Sequence, residues 1–365
     1  MDVFKCVSTA EPTVLTQGRM MQGAKSIMWT ERYRDPGEFE IVGQLSSGLR
    51  EFLPIGSLIS HTNTLEVMVV ENHEIDEDEN EDPIIKITGR SLEVILEGRI
   101  VGTNLIRGNS LVKEYILASA YTWVQITTLI TDHIANATNI NDHFENISAG
   151  YSATGTGVME ARTIKPEELH KTVLTLLAID DCGIKVVRRN PLTTPLVTML
   201  TIHKGVDKSN SVIFSWKARD MDEVDYLWSN KKLKNSAMVI GRYVNTAVDT
   251  GPAKYDRRIM IVAADDIDGN LSAAPAGAAL TDIVNKMQIR GKQALASQNL
   301  ITITRADISD ISKYQYRVDF NIGDLVSLDG NFGEIAKMRV VEYAEIQDAN
   351  GETGHPTFGV PGAVT

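Results

Sequence analysis

Along the first hundred residues, apolar and polar positions alternate in short runs, the period-two signature of half-buried strands. Such runs cover 24–33 and 37–45. They are joined by Asp35-Pro36-Gly37, where proline presets φ and glycine supplies a permissive turn position. Residues 65–74 and 83–88 predict a hairpin whose tip is the acidic run 76–82, and Gly89 is expected to open a short helix carrying Leu92, Ile95 and Leu96. The period then lengthens. A long helix is predicted from an N-cap at Ser110 to about Asn136, and a second from Pro166 to just before Gly183, with Leu169, Val173, Leu176 and Leu177 as its buried stripe. A Ser-, Gly- and Thr-rich stretch, 148–157, reads as a mobile loop. Strand patterns return at 184–187, 196–203, 212–216, 238–243 and 259–262. A third helix follows at 278–296, and then strands at 300–304, 314–320, 325–328 and 334–346. The tail, 356–365, reads as a strand end and a loose terminus.

The resulting fold class is mostly β with an α/β middle (α+β). At 365 residues the chain exceeds one compact core. The pattern divides it into a first β-domain over 1–108, a helix-containing middle domain over 109–205, and a second β-domain over 206–365 that carries the helix at about 278–296.

The two β-regions share a repeat. The first reads Ile55-Gly56-Ser57-Leu58-Ile59-Ser60, then a loop, then Val69-Val70-Glu71-Asn72-His73-Glu74-Ile75. The second reads Ile322-Gly323-Asp324-Leu325-Val326-Ser327, a loop longer by four residues, then Val340-Val341-Glu342-Tyr343-Ala344-Glu345-Ile346. Each block is a strand entered through a glycine turn at Gly56 or Gly323 and hairpinned onto a partner. A duplicated unit of this kind lets three chains present six similar segments in a ring.

Composition narrows the function. The chain is 43% hydrophobic and 23% charged, with a formal net charge of −12, a sign that disfavours tight nucleic-acid binding while permitting DNA to slide past an acidic wall. Cys6 and Cys182, far apart in sequence, read as buried or incidental free thiols of a protein made in a reducing cytoplasm. No signal peptide is visible at the start, and polar residues interrupt the longest apolar-leaning stretch, 115–130, below the roughly 18 residues of a membrane span. No Gly-x-Ser-x-Gly elbow, His-Glu-x-x-His helix or supported Cys–His pair occurs. The seven histidines, with His133 and His143 the closest pair, read as surface residues; the run 76–82 and Asp265-Asp266-Ile267-Asp268-Gly269-Asn270 lack EF-hand spacing and read as turns. No catalytic, cofactor or metal residue is therefore assigned.

The run Trp29-Thr30-Glu31-Arg32-Tyr33-Arg34-Asp35-Pro36-Gly37-Glu38-Phe39-Glu40-Ile41 resembles the opening of siphophage tail-hub proteins. The likeness continues through Leu53-Pro54-Ile55-Gly56-Ser57-Leu58-Ile59, Ile87-Thr88-Gly89-Arg90-Ser91-Leu92, Tyr316-Arg317-Val318-Asp319-Phe320-Asn321-Ile322-Gly323-Asp324-Leu325-Val326 and Pro356-Thr357-Phe358-Gly359. The resemblance implies two tail-tube-like β-domains per chain and a homotrimeric, pseudo-sixfold ring at the virion tail tip. That ring would sit beneath a hexameric distal tail or tail tube protein and above a central tip or fibre protein, with genomic DNA passing through. Glu71 and Glu342, matched by the repeat, are then candidates for an acidic lumen wall, and Trp216 and Trp228 for a subunit contact. Two rival expectations remain: a cell-wall hydrolase with perturbed carboxylates in the middle domain, and a carbohydrate-binding protein using Trp123, Trp216 and Trp228.

Overall fold

A computed structural model describes residues 1–8, 15–77, 82–102, 114–137, 143–144, 147–151, 160–188, 198–225, 233–250, 257–268, 271–296, 305–308, 312–330, 335–359 and 361. The first β-region forms β1 (Val3–Ser8), β2 (Leu15–Met20), β3 (Ala24–Arg32), β4 (Glu38–Gln44), β5 (Leu58–His61), β6 (Met68–Asp76) and β7 (Ile84–Ser91). Alternation decides the faces. In β4, Phe39, Ile41 and Gly43 turn inward between half-buried Glu38, Glu40, Val42 and Gln44. With Trp29, Ile59, Val70, Ile85 and Ile87 they form one core, each large side chain contributing about 1.5–3 kcal/mol by leaving water.

The middle region contains β8 (Tyr115–Ala120), α1 (Thr122–Ile130), β9 (Ile147–Tyr151), β10 (Glu160–Ile164), α2 (Leu169–Asp180), β11 (Gly183–Arg188) and β12 (Thr198–His203). The single long helix expected from Ser110 is not formed. Ser110 lies outside the described residues, and Tyr115–Ala120 is a strand, because it pairs with β10 far along the chain, Ile116 opposite Thr163. The helical part begins at Thr122 and closes in a wider turn over Thr131–Ala135. α2 starts at Leu169, one turn after Pro166, since Glu168 is held extended by a bridge to Ile100. It ends on Asp181 in the left-handed conformation (φ 54°), two residues before the expected glycine. Leu169, Val173, Leu176 and Leu177 are its buried stripe, as expected. Part of the predicted loop is β9, which lies parallel to β12; the rest, 152–159, falls outside the described residues.

The last region holds β13 (Ile213–Ser215), β14 (Met221–Asp225), β15 (Ser236–Ile240), β16 (Asn245–Asp249), β17 (Ile259–Ala263), α3 (Gly277–Ala296), β18 (Arg305–Ile308), β19 (Leu325–Asp329), β20 (Ile335–Asp348) and β21 (Gly351–Gly359). α3 packs on the β16–β15–β17 sheet over its own small core of Val239, Val244, Ile283 and Met287. Residues 314–320, expected as a strand, form a tight turn in which Arg317 has φ 66° and Asp319 accepts the Gln315 N–H. The tail opens with the expected strand end, β21 running through Pro356 to Gly359 along β20; 360 and 362–365 lie outside the described residues.

One sheet joins the two β-regions, in the order β13-β19-β20-β3-β4-β7-β6-β5-β1-β2, with β21 on β20. The seam is β3 against β20, antiparallel from Arg32 opposite Glu342 to Ile27 opposite Gln347.

Candidate functional site

The hydrogen bonds of the repeat locate its true register. In the first copy, the Gly56 N–H donates to Val70 O (2.8 Å) and the Val70 N–H donates to Ser57 O (2.9 Å). In the second, the Gly323 N–H donates to Val340 O (2.8 Å) and the Val340 N–H donates to Asp324 O (3.0 Å). Val70 therefore corresponds to Val340, one residue away from the sequence match, and a bulge follows each: between Val70 and Asn72, and between Val340 and Glu342. Glu71 and Glu342 are consequently not equivalent; Glu71 matches Val341, and Glu342 matches Asn72. Both repeat glycines hold positive φ, 85° and 90°. A Cβ on Gly56 would meet nothing within 4 Å, whereas one on Gly323 would lie 2.4 Å from Tyr33 Cε2.

Tyr33 follows β3 and belongs to a junction where three regions meet. Its N–H donates to Val341 O (2.9 Å), its carbonyl accepts from the Ile184 N–H (3.0 Å), and its hydroxyl donates to Asp181 O (2.8 Å). The Asp181 carboxylate accepts from Arg34 of the first region (2.8 Å) and from Arg339 of the second. Arg339 also donates to Gly323 O and lies over the Tyr33 ring, 5.0 Å from its centroid. An aspartate at the C-cap of α2 thus ties both β-regions to the middle one.

A second cluster lies beside it. Buried Glu31 accepts from Arg317 (2.8 Å), Tyr316 (2.6 Å) and Thr64 (2.5 Å). Burial alone would raise its pKa, but the Arg317 and Lys185 charges with the two hydroxyls outweigh that and bring it down to about 2. Arg317 also pairs with Glu345 on β20. Glu66 and Glu93 have the opposite fate. Burial, with the Glu31 and Glu93 charges, pushes Glu66 well up; burial lifts Glu93 to about 7 against the hydrogen bonds from Ser91 and the Val186 backbone. His61 and His203 are driven down to about 3 by burial and nearby cations.

Only 3% and 1% of Glu66 and Glu93 are exposed, so these perturbed carboxylates are sealed from any substrate. Both lie in the first β-region and not in the middle domain, where the hydrolase expectation places its perturbed carboxylates. An open cleft of about 580 Å³ does border the cluster, between residues 312–320 and the β20–β21 hairpin. Its Tyr316 and Tyr343 rings stack on each other, centroids 3.8 Å apart.

The candidates taken from sequence lie elsewhere. Glu71 receives both Arg90 Nε (2.8 Å) and Nη2 (3.0 Å), and Arg90 also holds Glu97; Glu342 receives Arg32 Nε (2.6 Å), and Arg32 also holds Glu38 (2.7 Å). Each is one carboxylate of a Glu–Arg–Glu triad. Trp216 is 37% exposed and Trp123 packs against the middle core; Trp228 lies outside the described residues. The histidines are not a surface set: His61 and His133 are buried, and His133 Nε2 accepts the Gly102 N–H (2.9 Å). Residues Asp265–Asp268, expected as a turn, form a short helix, and Asp268 is buried and accepts the N–H groups of Arg242, Tyr243 and Val244 (2.7, 2.7 and 2.9 Å), a structural use for that one aspartate. Of the acidic tip, 78–81 lie outside the described residues. Cys6 and Cys182 are buried free thiols, pushed up by burial to about 12 and about 11.

Sequence reasoning missed the junction, although Glu31 carried a signal. It shares strand parity with Ile27, Trp29 and Tyr33, all buried, so a period-two reading of β3 places its carboxylate inside.

A family model, described as Siphovirus ReqiPepy6 Gp37-like protein, matches residues 11–360. The chain belongs to this family. Among solved structures, the tail protein from Neisseria meningitidis MC58 superposes with a TM-score of 0.62 at 12% identity, covering 99% of this chain and 98% of that one. The prophage MuSo2 43 kDa tail protein from Shewanella oneidensis gives 0.61 at 12% identity, over 100% and 99%. The prophage tail protein gp18 from Listeria monocytogenes EGD-e gives 0.59 at 11%, over 99% and 95%. No curated protein matches in sequence. The fold is therefore the fold of these phage tail proteins over nearly the whole chain, carried by a member of a siphovirus protein family. Among the described residues no helix is long and apolar enough to cross a membrane.

Proposed function

We propose that this protein is a structural component of a siphovirus tail and the hub of its tip, in keeping with the tail-protein fold it shares. Three copies would close a pseudo-sixfold ring that joins a hexameric distal tail or tail tube protein to a central tip or fibre protein. The observation that carries this reading is the matched pair of turn–hairpin units, β5–β6 and β19–β20, set into one continuous sheet by the β3–β20 seam. A chain that carries the same unit twice meets sixfold symmetry with three copies. The ring would form part of the DNA conduit, where a net charge of −12 opposes sticking. Glu71 and Glu342 would add to its wall weakly, because each shares one arginine with a second carboxylate, leaving each triad a single negative charge. Trp216 and Trp228 would serve contacts between subunits. The role is mechanical, with assembly in the host cytoplasm and no reaction at any site.

Light scattering on the purified chain, followed by negative-stain imaging of the same fraction, tests this. The expected result is a mass of three chains and rings with a sixfold outline and a central hole. A holeless dimer refutes the hub, as does a chain that stays monomeric both alone and with the tail tube protein it would dock on.

A further inference from the structure

We infer that the outer edge of β6, residues 71–76, is the seat for a strand of a second copy of this chain, supplied by β14. The inference deepens the ring reading and rests on it. Within one chain, β20 uses one side for β19 up to Val340; past the bulge, the same side takes β3, beginning where Val341 O accepts the Tyr33 N–H. β6 repeats this arrangement halfway. It takes β5 and the glycine turn up to Val70, and past its bulge no strand pairs that side among the described residues. Asn72, Glu74, Ile75 and Asp76 are exposed, whereas their counterparts on β20 are half-covered by β3. The glycines agree. The space beside Gly323 holds the Tyr33 ring, and the equivalent space beside Gly56 is open.

The occupant follows from the same correspondence. β3 reaches its place through β4, which pairs β7, the neighbour of β6. In the second unit, β14 pairs β18, and β18 lies beside β21, the neighbour of β20. β14 thus stands where β3 stands. Its side away from β18 has no strand among the described residues. These two edges, open among the described residues, are complementary between chains, head to tail, and a repeat of that step closes a ring.

Both edges are acidic in sequence, with Glu71, Glu74 and Asp76 on one and Asp222, Glu223 and Asp225 on the other. Added salt should therefore favour closure, whereas a basic strand from another protein would leave the edge as salt rises.

The test is Ile75→Pro. Backbone groups alternate sides beyond the bulge, so those of His73 and Ile75 face the open side, as Tyr343 and Glu345 face β3. Proline there removes an outward N–H and spares the β6–β7 ladder. The expected result is loss of the three-chain species by light scattering, with circular dichroism and melting unchanged in the single chain. Hydrogen exchange on the wild type is the second measurement: amides 73 and 75 should be protected in the ring and unprotected in the dilute monomer. A variant that still forms three chains, or unprotected amides in a wild-type ring, overturns the edge assignment and leaves the ring reading standing. A wild type that never reaches three chains overturns both.

Discussion

Gly56 and Gly323 occupy the same turn with nearly the same φ, so replacing each by alanine separates backbone strain from packing. Either substitution forces an L residue into left-handed space, at about 1–2 kcal/mol, offset in part by the stiffer unfolded chain, roughly 0.4–1 kcal/mol. At Gly56 nothing else changes, since no atom lies within 4 Å of the new Cβ. At Gly323 the methyl meets Tyr33 Cε2 at 2.4 Å and Cδ2 at 2.9 Å. That ring cannot retreat. Its hydroxyl is bonded to Asp181, its backbone to Val341 and Ile184, and Gly183 packs so closely that a Cβ built on it would lie 2.4 Å from the ring. Overpacking of this kind adds about 1–3 kcal/mol. We expect Gly56→Ala to cost about 1 kcal/mol and Gly323→Ala about 3 kcal/mol. Both are to be measured as changes in the urea midpoint of the single chain at constant slope. Equal costs would refute the reasoning, because the packing of Tyr33 would then contribute nothing. A larger cost at Gly56 would refute the assignment of Tyr33 to the second unit alone.

The junction makes three further predictions. Asp181→Ala should cost about 3–5 kcal/mol by leaving the buried Arg34 and Arg339 guanidinium groups short of their shared carboxylate; Asp181→Asn should recover part of this in the same urea titration. Arg317→Met should cost a similar amount, since Glu31 is then a buried carboxylate without its nearest cation. Glu93 has a raised pKa in the folded chain, about 7 against an ordinary 4.5, so the stability it contributes is present below about pH 4.5 and is lost as pH rises through 7. The shift corresponds to about 3 kcal/mol. A Glu93→Gln chain should therefore lack that decline between pH 5 and 8 in paired melts with the wild type, and parallel curves would refute the assignment.

Much of the fold was legible because it is local. The β3–β4 and β6–β7 pairs are joined by short connections and show clean alternation, and α3 shows a helical period within a single stretch. The failures are non-local. Tyr115–Ala120 reads as part of a helix until β10, forty residues on, offers it a ladder. Tyr316 carries strand character, yet its hydroxyl is drawn across to Glu31, and residues 314–320 fold as a turn. The junction was hidden for the same reason. Glu31, Thr64, Glu93, Asp181, Lys185 and Arg317 come from all three regions, and no spacing along the chain announces that they meet.

The one-residue offset in the repeat is the most consequential difference between sequence and structure. Matching letters sets Glu71 against Glu342, but a shift of one residue turns every side chain of a strand to the other face. The hydrogen bonds fix Val70 against Val340, and the bulges absorb the shift by placing Glu71 and Val341 at the extra position. The conserved object is thus a geometry, a left-handed glycine followed by a strand that bends one residue after its last turn contact, and the glutamates share letters without sharing a place. In the second unit that bend delivers the carbonyl of Val341 to Tyr33. In the first it turns the carbonyl of Glu71 toward an edge with no described strand beside it. The bulge therefore matters to assembly in a way that Glu71 as a side chain does not: Glu71→Gln should release Arg90 to Glu97 and leave the oligomeric state unchanged, whereas deleting one residue of the bulge should abolish it. Light scattering on the two variants distinguishes these, and loss of the three-chain species with Glu71→Gln would return the weight of the interface to side-chain charge.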